Sequence, residues 1–126
     1  MENTTIAAIS TAYGESGIGI VRMSGPDSFE ILKKVFFSKN GESIEFIPRK
    51  MHYGVVKDEN GNIMDEALAV FMNAPFTYTG EDVAEIQCHG GNISVMNILS
   101  LLLRSGAVLA DRGEFTKRAF LNGLRL

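Results

Sequence analysis

Arg22 stands alone as a cation in the apolar run "GIGIVRMSG", and Glu85 sits in a second run, "DVAEIQCH". A guanidinium fork suits a carboxylate or a ring carbonyl, while a fixed carboxylate accepts two neighbouring N–H groups side by side. On a strand, Ala84, Ile86 and Cys88 share one face and Val83, Glu85 and Gln87 share the other. One face is core and the other presents the carboxylate, partly desolvated and in need of partners to stay ionised. Each residue also has a plain structural reading. Arg22 pairs with a surface acid at a strand end, and Glu85 is exposed or held in an ion pair.

The glycines ahead of Arg22 raise the question of a phosphate cradle. A Walker-type loop needs Gly-Lys-Ser/Thr where its helix starts, whereas Gly19 is followed by Ile20 and Val21. These glycines therefore shape a loop between strands. "CHGGN" offers a second candidate: His89 for proton transfer, or the backbone N–H groups of Gly90 and Gly91 for an anion. No nucleophile–base pair or metal set surrounds the histidine, so the segment reads as a tight strand-to-helix turn. Tyr78, in the polar "TYTGEDV" segment, has the amphipathic ring to stack on a flat ligand or to cover the core. Glu81 and Asp82 read as loop-shaping or partner-facing. Cys88 reads as a small buried apolar residue.

Several elements have to position these groups. "TIAAIST" and "IGIVRMS" are short and β-branched and predict two strands. "GPDSFEILKKVFF" predicts a helix with Pro26 near its first position, Asp27 in its first turn, and Phe29, Leu32 and Phe36 on its core face. Residues 38–49 are polar, with Gly41 and Pro48, and predict a surface loop. "MHYGVVK" and "EALAVFM" flank Asn60-Gly61, a hairpin signal, and the second is apolar on both faces, which places it inside the sheet. "GGNISVMNILSLLLRSG" predicts a helix with Val95, Ile98, Leu99, Leu102 and Leu103 inward, Asn92 as N-cap and Gly106 past its end. A shorter helical segment spans 113–120, closed by Asn122-Gly123. The order is two strands, a helix, three strands and a helix, then the short segment: a small sheet with helices packed against it, an α+β domain.

The chain of 126 residues supports one core. Twelve Lys and Arg against fifteen Asp and Glu give a net charge of −3, which disfavours tight nucleic-acid binding by this chain itself. The lone cysteine excludes an internal disulfide and a cysteine-based zinc site. The apolar runs fall short of a membrane span and no signal-peptide pattern opens the chain, so the expected address is cytoplasmic, with no membrane.

Taken together, "TIAAIST", "SGIGIVRMSGP", "TYTGEDVAEIQCHGG" and "RGEFTKRAFLNG" resemble the amino-terminal domain of the MnmE (TrmE) family of tRNA-modification GTPases, over essentially the whole of residues 1–126. The resemblance implies a tetrahydrofolate-binding and dimerisation domain, similar in fold to the aminomethyltransferase of the glycine cleavage system, with first strands swapped between subunits. It implies a tetrahydrofolate derivative (5-formyl- or methylene-tetrahydrofolate) as ligand, held by Arg22 and Glu85, with Tyr78, His89, Gly90 and Gly91 around it. Family members carry a basic folate contact after "FLNG"; Leu124 stands there, and Arg125 is the candidate in its place. The implied partners are a second copy, the flavin-containing MnmG (GidA) subunit and tRNA. GTP, potassium and magnesium would belong to a GTPase domain whose motifs these residues lack, so the expectation is an excised domain, inactive alone. The alternatives are a stand-alone folate-dependent one-carbon transferase and a ligand-free assembly module.

Overall fold

The computed structural model describes residues 4–10, 18–89 and 91–123. The chain runs β1 (Ile6–Ile9), β2 (Gly19–Ser24), α1 (Ser28–Val35), β3 (Phe36–Phe37), β4 (His52–Lys57), β5 (Ile63–Met72), β6 (Val83–Cys88), α2 (Gly91–Arg104), β7 (Val108–Leu109) and α3 (Glu114–Leu121). Seven strands form one sheet in the order β3-β4-β5-β6-β2-β1-β7, with every pairing antiparallel except β1 with β7. The domain is α+β, and β1 takes its place in the sheet of its own chain.

Alternation decides what lies under the helices. Val21 and Met23 of β2, Ala84 and Ile86 of β6, and Ala67, Ala69 and Phe71 of β5 meet Ile31, Leu32 and Val35 of α1 and Val95, Ile98, Leu101 and Leu102 of α2. The small residues on β5 and β6 let the helices come close. Gly19 sets the limit, because a Cβ there would lie 2.1 Å from Val95 Cγ1. The turn out of β2 depends on Gly25, whose φ of +141° puts its Cα over Thr5, where a side chain would clash with backbone. Cys88 is on this core face; burial, with the Asp65 carboxylate adding to it, pushes its thiol up to about 11.

The structure departs from the sequence reading in particular places. The first helix starts at Ser28, two residues after Pro26, with Asp27 at its N-cap making no side-chain cap bond. It stops at Val35, and Phe36 and Phe37 turn extended to pair with Val56 and Val55; Phe36 stays in the core from a strand instead of a helix. The 38–49 segment is not purely a surface loop. Its Phe46 is buried and packs edge-on to Phe29 at 6.1 Å and to His52 at 5.1 Å between ring centroids. Helix α2 begins at Gly91, so Asn92 lies inside its first turn and not at the N-cap. The hairpin forms as read, with Asp58 Oδ1 accepting the backbone N–H groups of Asn60 and Asn62, and β5 is an interior strand.

Leu102 is fully buried at the α2–sheet contact, so Leu102→Ala is expected to cost about 2–5 kcal/mol in chemical denaturation. Cys88 is expected to resist Ellman's reagent at pH 8 in the folded chain and to react at once in guanidinium, because a buried thiol titrating near 11 supplies almost no thiolate.

Candidate functional site

The antiparallel register of β2 against β6 sets Arg22 directly opposite Glu85, on the sheet face away from α1 and α2. Arg22 Nε donates to Glu85 Oε2 at 2.7 Å, Nη2 forms an ion pair with the same oxygen at 2.7 Å, and the two side chains keep 32% and 13% of their surface. Both contacts converge on one carboxylate oxygen. Glu85 Oε1 and Arg22 Nη1 therefore have no partner among the described residues, and an acceptor and a donor stand side by side on an accessible face. Val70 flanks Glu85 from β5 and Ala8 flanks Arg22 from β1, so the pair has an apolar neighbour on each side across the strands.

Next to this pair along β2, a second polar cluster is sealed in. Ser24 Oγ donates to Glu81 Oε1 at 2.7 Å and lies 2.6 Å from Thr79 Oγ1. Arg118 of α3, only 3% exposed, donates through Nη1 to the Thr4 carbonyl at 2.8 Å and to Glu81 Oε1 at 3.2 Å. Its Nη2 donates to Thr4 Oγ1 at 2.9 Å and to Glu114 Oε2 at 3.1 Å. Asp82 is loop-shaping, as its Oδ1 accepts the Ala74 N–H. Glu81 and Arg118 thus fasten the 79–82 loop, the entry to β1 and α3 around one end of the sheet face that carries Arg22.

The other candidate residues distribute as follows. His89 lies exposed in the bend after β6, and with Ile18, Tyr53, Glu66, Leu68 and Gln87 it lines a cleft of about 170 Å³ on the same face as the ion pair. Gly91 opens α2. Gly90 and Arg125 lie outside the described residues. Tyr78 goes to α3, with its hydroxyl 3.1 Å from Thr116 Oγ1 and its ring on a different cleft of about 330 Å³ that includes Phe76, Ala119 and Asn122. Neither cleft is lined by Arg22 or Glu85. Among the described residues no group of three or more His, Cys, Asp or Glu could hold a metal ion, and no helix is long and apolar enough to cross a membrane.

The family model described as "GTP-binding protein TrmE N-terminus" matches residues 5–124. The chain belongs to this family. It is 56% identical over 121 residues to the tRNA modification GTPase MnmE of Alkaliphilus metalliredigens, covering 94% of this chain and 26% of that protein. The protein of the same description from Carboxydothermus hydrogenoformans is 53% identical over 125 residues, covering 98% and 27%. That from Clostridioides difficile is 55% identical over 120 residues, covering 94% and 26%. This TrmE amino-terminal domain therefore spans about a quarter of the length of the relatives it matches.

Sequence reasoning on this TrmE domain missed Arg118 as a structural centre. The available signal was the Glu114/Arg118 spacing of four on one helix face, which brings the two side chains together. Arg118→Met leaves Glu81 and Glu114 without their buried counter-charge and is expected to cost about 3–5 kcal/mol by guanidinium titration. Arg118→Lys is expected to recover little of it, since an ammonium cannot reproduce the four-way fork.

Proposed function

We propose that this chain is the folate-binding and dimerisation module of a tRNA-modification GTPase. The observation that carries the reading is the Arg22–Glu85 pair, which leaves a carboxylate acceptor beside a guanidinium donor on an accessible sheet face. The pyrimidinone edge of a pterin is complementary to it, because its ring N–H lies next to its carbonyl oxygen. Glu85 Oε1 takes the N–H, and Arg22 Nη1 gives to the carbonyl. The mutual ion pair sets both groups in place before the ligand arrives. His89, on the neighbouring cleft, borders the approach to this face; Tyr78, on the α3 cleft, is not part of the proposal.

In the full-length protein the bound tetrahydrofolate would supply a one-carbon unit for the wobble uridine of tRNA, with a flavin-containing MnmG subunit completing the chemistry and GTP bound elsewhere. This chain's own part would be to bind and orient the folate through Arg22 and Glu85. Two copies would associate, with β1, the first strand, as the element open to exchange between them.

Isothermal titration with 5-formyltetrahydrofolate tests the site. Arg22→Ala and Glu85→Ala are each expected to weaken binding about 10- to 100-fold, the worth of a hydrogen bond to a charged group, with circular dichroism unchanged. Unaltered affinity in both variants would remove the pair from the site. For association, light scattering is expected to give twice the chain mass, and a monomer at high concentration would exclude the dimer.

A further inference from the structure

Two aromatic side chains stand out from the 73–82 loop beside α3: Phe76 is 81% exposed and Tyr78 52%. The loop that carries them is fixed. Arg49, held at a left-handed φ of +67°, donates from Nη2 to the Phe76 carbonyl at 2.6 Å and to the Asn73 carbonyl at 3.3 Å. Thr77 Oγ1 donates to the Glu81 carbonyl at 2.6 Å, and Asn122, just past α3, donates from Nδ2 to the Thr79 carbonyl at 2.9 Å. Gly80 comes so near that a Cβ there would meet Asn122 Cβ at 2.8 Å. Between loop and helix opens the cleft of about 330 Å³, with Phe76 and Tyr78 on one wall and Ala119, Asn122 and Gly123 on the other. On α3, Phe120 follows the Tyr78 partner Thr116 by one turn and is 74% exposed, with Leu121 beside it at 68%. Apolar groups held this rigidly in water mark a surface made to be covered, because little ordering remains to be done when contact forms.

We propose that this cleft seats an amphipathic helix from the part of the polypeptide that follows residue 126. The inference is independent of the folate reading and rests on the chain continuing as its relatives do. The match is to a TrmE amino terminus and spans only 26% and 27% of two of those relatives, so most of such a polypeptide lies beyond it. Gly123, on the cleft wall, is three residues from Leu126. A segment tethered that close is present at an effective concentration on the order of millimolar, which favours it over a free partner making similar contacts. None of the described lining residues carries a charge, which selects against a phosphate backbone. The walls are a loop and a helix, with no strand edge to extend, so the occupant is a helix laid along α3 with its apolar residues at i, i+3 and i+4. Phe76 and Phe120 are its anchors, and the Tyr78 ring lies between loop and α3 with its hydroxyl already at Thr116.

Hydroxyl-radical footprinting reads the exposure of these side chains without altering them. Oxidation of Phe76 and Phe120 is compared between residues 1–126 and the full-length protein, each at low and high concentration. Both are expected to react about tenfold or more slowly in the full-length protein at either concentration, because protection follows the fraction of time the segment is released. Equal rates in the two proteins overturn the proposal. Slowing that appears in residues 1–126 as their concentration is raised assigns the cleft to a second copy, and slowing that appears only when tRNA is added assigns it to nucleic acid; either result overturns it. The second measurement is Phe76→Ser in the full-length protein, expected to raise the rate of limited proteolysis beyond residue 126 about tenfold. In residues 1–126 alone the same substitution is expected to leave the melting curve unchanged, since the side chain is exposed. Unchanged proteolysis in the full-length variant means that Phe76 anchors no segment, and overturns the proposal as well.

Discussion

The structure depends on the pairing of β2 with β6 at the centre of the sheet. Six consecutive residues of each strand face one another without a slip, from Gly19 opposite Cys88 to Ser24 opposite Val83. Because side chains alternate, a shift by one residue would move Val21 and Met23 out of the core and Arg22 into it. Burial of the apolar set against α1 and α2 therefore fixes where the guanidinium and the carboxylate meet. The polar pair contributes orientation to the accessible face, while the hydrophobic face holds the register that makes the pair possible. Gly19, pressed beneath Val95, shows how closely the helix layer is seated on that same strand.

Local pattern made much of this legible. The alternation through 83–88, the Asn60-Gly61 hairpin and the 3.6-residue period of α2 each identify an element whose own residues determine it. What escaped is non-local. β3 and β7 are two residues long, too short for any period, and exist because their backbones find partners in β4 and β1. Phe46 sits in a polar stretch and is buried only because Phe29, Phe36 and His52 converge on it. Arg22 and Glu85 stood out individually, but their contact across 63 residues of chain follows from sheet register, which no single segment encodes.

Arg118 ran against the ordinary expectation that arginines are solvated. Its burial is tolerable because both terminal nitrogens are satisfied by two carboxylates and the Thr4 residue. Tyr78 followed the same elements, turning to Thr116 on α3 instead of toward the ion pair. The loop that carries Tyr78 is thus organised by α3 at one end and by the sheet at the other, with Asn122 donating to the Thr79 carbonyl as a further tie.

Thr4 and Arg118 are separated by 114 positions yet share hydrogen bonds, so the guanidinium acts as a latch between the two ends of the domain. A load applied to α3 would reach the first strand through this latch before it disturbed the sealed layer beneath α1 and α2. Movement of α3 is thereby coupled to the entry of β1 through one side chain.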